Sequence, residues 1–124
     1  MWQLIRLDLA RSESYPEGSH DHCYLLRLPL DARCMIDMAA IEASPEQATV
    51  LRSAPDAPER TGHIGRRDGQ WVFSYAPGSN EDEQLFHLET HALLPGNYLT
   101  ITDPSGEAAC FQVISTRAAA PAPV

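Results

Sequence analysis

Between its glycines and prolines the chain alternates apolar and polar residues over short runs, the pattern of strands that bury one face. Residues 2–9 set Ile5, Leu7 and Leu9 on one side and Arg6 and Asp8 on the other. A polar loop, residues 12–21, separates them from residues 22–30, where Tyr24, Leu26, Leu28 and Leu30 share a face opposite Arg27. The two runs predict a long-looped hairpin. Residues 37–43 read as a short helix capped by Asp37, and Ser44-Pro45-Glu46-Gln47 has the form of a second helix start. Thr49-Val50-Leu51 favours extended backbone, so a strand is expected over 48–53, followed by a Pro- and Asp-rich loop over 54–60.

The second half is clearer. Asp68-Gly69 between residues 62–67 and 70–75 is a two-residue hairpin signal, with Trp71, Phe73 and Tyr75 on one face. A loop over 77–83 leads to a strand over 84–92, and Pro95-Gly96 turns the chain into 97–102, where Leu99 and Ile101 point inward. Asp103-Pro104-Ser105-Gly106 closes a last hairpin onto 108–116, whose inner face carries Phe111 and Val113. The expected fold is all-β: a small antiparallel barrel or sandwich of about seven strands with one short helix, forming a single domain over 1–116. Residues 117–124, rich in Ala and Pro, read as a flexible tail. Barrel closure is favoured because it removes unpaired edges. If the meander stays open instead, the edge at 108–116 offers a route to a homodimer.

Composition narrows function mainly by exclusion. Of 124 residues 17 are acidic and 9 basic, and every basic residue is arginine. Without a lysine ammonium there is no P-loop, no protein-kinase site, no Schiff-base or pyridoxal chemistry and no Ser-Lys dyad. Eight arginines lie before residue 68, while residues 68–116 carry seven acids and no arginine. This acidic balance disfavours nucleic acid and anionic membranes as partners. No apolar run reaches the roughly 18 residues of a membrane span, and Arg6 and Asp8 interrupt the opening segment, so a soluble cytoplasmic protein is expected. Cys23, Cys34 and Cys110 lack disulfide or zinc-knuckle spacing and read as reduced, part-buried side chains.

The most suggestive chemistry is His87-Leu88-Glu89-Thr90-His91, since alternation in a strand would align His87, Glu89 and His91 on one face. His20-Asp21-His22 supplies a second His-x-His pair. Converging in a barrel mouth, such side chains would suit a transition metal such as Zn²⁺ or Fe²⁺. Strand geometry opposes it: His87 and His91 would stand about 13 Å apart, against metal–ligand bonds of about 2 Å. The Gly-flanked histidine series of cupins is also missing, so no cofactor is favoured. Trp71 and Tyr75 join His87, Glu89 and His91 as candidate ligand-binding residues, although the aromatic stripe suits a barrel core better. Ser79-Asn80-Glu81-Asp82-Glu83 lacks the spacing of a calcium loop and reads as a solvated acidic loop that could meet a basic partner. Gly62-His63-Ile64-Gly65 matches an RNA-clamping Gly-x-x-Gly in form but has no flanking helices; Arg66 and Arg67 beside it fit pairing with acidic neighbours, only one of them facing any cleft.

Gly96-Asn97-Tyr98-Leu99-Thr100-Ile101-Thr102-Asp103, then Gly106 and Phe111-Gln112-Val113, with His91 before Pro95 and Trp71-Val72-Phe73-Ser74-Tyr75 upstream, resembles small uncharacterised bacterial proteins of this length. The likeness covers about residues 1–116 and implies a stand-alone bacterial domain, with no activity to carry over. No Gly-x-Ser-x-Gly, His-Glu-x-x-His or Cys-His dyad is present, so no catalytic residue is assigned. The expectation is a small binding or interaction module for a protein or small molecule. The alternative is a metal-assisted or acid–base enzyme using His20, His22, His87, Glu89 and His91.

Overall fold

A computed structural model describes residues 2–55, 57–67, 69–75, 82–85, 88 and 92–119. Eight strands in chain order close into an antiparallel barrel: β1 (Trp2–Leu9), β2 (Ser19–Pro29), β3 (Thr49–Ala54), β4 (Ala57–Arg67), β5 (Gln70–Ser74), β6 (Glu83–Leu85), β7 (Tyr98–Thr102) and β8 (Ala108–Ala118). Each strand pairs with its sequence neighbour, and β8 returns to β1. The strand at 108–116, which an open meander would have left as an edge, is hydrogen-bonded to β1 on one side and β7 on the other.

Four boundaries differ from expectation: β2 begins at Ser19, inside the loop expected over 12–21. The segment over 54–60 is no long loop, because β4 begins at Ala57 and Ala54 pairs with it directly. The strand expected over 84–92 is short: β6 ends at Leu85, with Leu88 in a 3₁₀ turn and residues 86, 87 and 89–91 outside the described residues. Arg117 and Ala118 belong to β8 rather than to a tail, and the Ala119 amide still bonds to Trp2.

An eight-stranded barrel encloses a space that side chains can fill, and here they fill it. Ile5, Leu7, Leu26, Leu28, Phe73 and Val113 are almost wholly inaccessible, as is Trp71. One end of the barrel is stoppered by residues 30–48. Asp37 caps α1 (Met38–Ala43) by accepting from the Ala40 amide at 3.2 Å, and Leu30, Ile36, Ile41 and Ala48 turn into the core. Ser44 makes no side-chain cap, so Pro45–Gln47 forms a single 3₁₀ turn rather than a second helix. We call this the helix end.

The opposite end, where β3 meets β4 and β7 meets β8, is polar. Its last turn is built by Asp103: the Ser105 hydroxyl, at 2.6 Å, and the Ser105 and Glu107 amides hold this carboxyl below its usual range. Register shifts cluster near the same end, between Asp8 and Leu9 against β2 and between Arg52 and Ala54 against β4. Bulges of this kind re-aim side chains. No helix among the described residues is long and apolar enough to cross a membrane.

Candidate functional site

Alternation along β2, β3 and β6 carries Tyr24, Arg52 and Glu83 to the inner face, and Tyr75 follows Phe73 on the same side of the sheet. They meet near the polar end. Tyr24 Oη donates to Glu83 Oε2 at 2.8 Å and Tyr75 Oη to Oε1 at 2.5 Å, while Arg52 Nε stands 3.8 Å from Oε2. Glu83 is 2% exposed. A buried carboxylate that accepts two phenols and faces a guanidinium is satisfied rather than poised. Burial, reinforced by the negative charge of Glu83, pushes both phenols well above their usual ionisation range, so neither serves as a base near neutrality. Edge contacts from Phe111 and a tilted Phe73 complete the setting of Tyr24, and the Arg60 guanidinium lies 5.2 Å from the Tyr75 ring centre.

The solvated acidic loop expected over 79–83 is thus corrected where it is described. Asp82, like Glu83, is buried; Ser79, Asn80 and Glu81 lie outside the described residues. Asp82 points to the outer face, where Arg67 Nε approaches its Oδ2 at 2.7 Å. That contact is an ion pair without an aligned hydrogen bond, and Oδ1 is buried with no donor.

Of the residues singled out from sequence, His87, Glu89 and His91 lie outside the described residues. Trp71 belongs to the core, with the Arg66 guanidinium 5.6 Å from its ring centre. Tyr75 reaches both Glu83 and a surface cleft. His20 and His22 sit on the irregular stretch where β2 slips against β1, and they take separate partners. His20 Nδ1 lies 2.5 Å from Asp8 Oδ2, with Arg6 Nε 2.8 Å from the other oxygen; His22 Nδ1 lies 3.0 Å from the Ser19 hydroxyl and its ring packs against Tyr15. Asp8 is 3% exposed, and its contacts with Arg6 and His20 clamp the entrance of β2 onto β1. Among the described residues no group of three or more His, Cys, Asp or Glu is gathered around a point where a metal ion could sit. Cys23, Cys34 and Cys110 are free, and Cys110 is exposed rather than part-buried.

A concavity lies on the outside of the barrel. A cleft of about 810 Å³ runs across β1 to β5, with Leu4, Leu25 and Leu51 as its apolar wall and Arg27, Thr61 and His63 among its polar groups. The pairing places these side chains in two rows: Leu4, Arg27, Thr49, His63 and Ser74 in one, Leu25, Leu51 and Thr61 in the next. Gly62 shapes the cleft by omission. A Cβ there would stand 2.3 Å from the Ser74 carbonyl oxygen and 3.0 Å from the Tyr75 ring, so a side chain would force β4 and β5 apart.

A second hollow of about 400 Å³ continues the first towards the helix end, lined by Glu46, Gly65, Arg66, Arg67 and Val72. The two share His63 and Ser74. Alternation alone does not reveal this groove, because it assigns inner faces and leaves the outer ones unexamined. The signal was there: Leu4, Leu25 and Leu51 are apolar residues at outward positions on three adjoining strands. Comparison of the chain with protein-family models, with curated proteins and with solved structures returned no match.

Proposed function

We propose that this protein is a binding module that receives a small, largely apolar organic molecule in the outer cleft across β1 to β5. The observation that carries this reading is the cleft itself, about 810 Å³ with a leucine wall and a few polar groups. Small-molecule sites are typically concavities of about 300 to 1,000 Å³ with that character. The packed lumen supports the same reading from the other direction: Trp71, Phe73, Leu26 and Leu28 fill the described interior, which favours a site on the exterior.

Ligand-observed NMR with a library of small aromatic and aliphatic fragments tests the reading. Fragments bind the wild type and lose their saturation-transfer signal with Leu51→Glu, which sets a charge in the apolar wall. Thr61→Trp, which fills the cleft from an exposed position, gives the same loss and guards against a folding defect in the first variant. Binding that survives Thr61→Trp, or a library with no binder at all, overturns the reading.

A further inference from the structure

Where the two hollows meet, the groove gathers cationic and hydrogen-donating side chains on an otherwise acidic protein. His63 on β4 and Ser74 on β5 are direct cross-strand partners, and both line both hollows. Directly opposite residues in an antiparallel pair hold their Cβ atoms about 4.5 to 5.5 Å apart. Arg67, on the same outer face of β4, extends a guanidinium to this point: its Nη2 donates to Ser74 Oγ at 3.2 Å. Buried Asp82 takes the Nε edge of the same group. The fork is thereby oriented, with its Nη edge turned to the serine and the groove.

Arginines and two acids, Glu46 and Asp82, stand around this point. Arg27 lines the larger hollow and Arg67 the smaller, where Arg66 also borders it although its guanidinium lies over Trp71, and Glu46 is the one acid among the lining residues described. Asp82 offsets part of the Arg67 charge from behind. The chain as a whole carries −8. Guanidinium groups facing a groove on such a surface make it less negative than its surroundings, which favours a negatively charged ligand group there over the rest of the surface.

From this geometry we infer that the ligand is an amphipathic oxyanion, whose carboxylate or phosphate docks against Arg67, Ser74 and His63 while its apolar body lies on Leu25 and Leu51. The planar guanidinium suits either anion, since its paired N–H groups match two oxygens at once. This inference rests on the cleft reading above and adds the chemical class of the ligand. Each part fails separately: loss of charge preference removes the anion, and loss of apolar contact removes the cleft.

Amide-resolved NMR titration of the full chain with octanoate, with octanol as its neutral counterpart, and with inorganic phosphate decides it. Octanoate shifts the His63, Gly65 and Ser74 amides together with Leu25 and Leu51, and binds at least tenfold more tightly than octanol. Arg67→Gln removes that tenfold preference without altering octanol binding, His63→Gln reduces it, and Arg67→Lys restores part of it. Phosphate moving the His63, Gly65 and Ser74 amides more than octanoate does assigns the phosphate class. Equal binding of octanoate and octanol, or a preference unchanged by Arg67→Gln, overturns the anion while leaving the cleft. Silence at these amides with both octanoate and phosphate overturns the inference. Octanoate that moves Gly65 and Ser74 but leaves Leu25 and Leu51 unmoved overturns the amphipathic ligand, and octanol that also leaves Leu25 and Leu51 unmoved overturns the cleft reading. Arg67 is a surface residue, and retained amide dispersion verifies that each variant is folded.

Discussion

Tyr75 donates its phenolic proton to Glu83 at 2.5 Å, joining the end of β5 to the start of β6 through a carboxylate that is almost wholly buried. Tyr24, from the far side of the lumen, holds the second oxygen of the same group. The polar end of the barrel is thus stitched by side chains near strand ends where the backbone ladder runs out.

Removing either phenol leaves one carboxylate oxygen without its donor. Tyr75→Phe and Tyr24→Phe are each expected to lower unfolding free energy by about 1 to 3 kcal/mol, measured by urea denaturation. Adding Glu83→Leu to the double phenylalanine variant should recover part of the combined loss, because no buried charge then remains unpaired. A triple variant less stable than the double would show that Glu83 has supports beyond the two phenols and Arg52.

Alkaline titration offers a second check. The folded-state ionisation of Tyr24 and Tyr75 is raised by burial and then by Glu83, above the unfolded value of about 10. Stability from these groups is complete below that pH and declines above it, by about 1.4 kcal/mol per pH unit for each, because the unfolded chain releases the protons first. Two of the four tyrosines should therefore ionise, read at 295 nm, only together with the loss of circular dichroism. Tyr75→Phe should reduce that coupled step to one.

Gly62→Ala tests the close approach of β4 and β5. The new methyl would collide with the Ser74 carbonyl, which belongs to the backbone and has little room to yield. A loss of about 1 to 3 kcal/mol is expected, together with altered amide shifts at Ser74 and Tyr75. At Gly65, where a Cβ meets nothing within 4 Å, alanine should cost far less.

The clamp at the entrance of β2 predicts a local effect. Asp8→Ala removes the acceptor shared by Arg6 and His20. Faster trypsin cleavage at Arg11, in the exposed loop before β2, is the expected result, with His20→Ala producing a smaller change. Equal cleavage rates in wild type and Asp8→Ala would show that the ladder alone holds the loop.

Much of the architecture was legible because its cause is local. The alternation of Ile5, Leu7 and Leu9, of Tyr24, Leu26 and Leu28, and of Leu99 and Ile101 follows from the two-residue strand repeat, and each set except Leu9 is buried as that repeat requires. Asp37 could be recognised as a cap from its place before an apolar turn. The site was less legible for a physical reason. Glu83 lies two residues before Leu85 and shares its inward face, but an acidic cluster normally belongs to solvent; its burial depends on Tyr24, 59 residues earlier. His20 and His22 were misleading because a register slip, invisible in the alternation, turned them to separate partners.

By itself the sequence determined a β meander and, through the hairpin at Gly69, the pairing of His63 with Ser74, since a two-residue turn sets the register of its strands. It also determined that all cationic chemistry here is arginine chemistry. The tertiary structure alone decided that β8 closes on β1, that two acids of the acidic half turn inward or pair with arginine, and that leucines from three strands wall one groove. Alternation and turns act over a few residues, whereas closure, burial and cleft shape depend on strands that meet only when the barrel is complete.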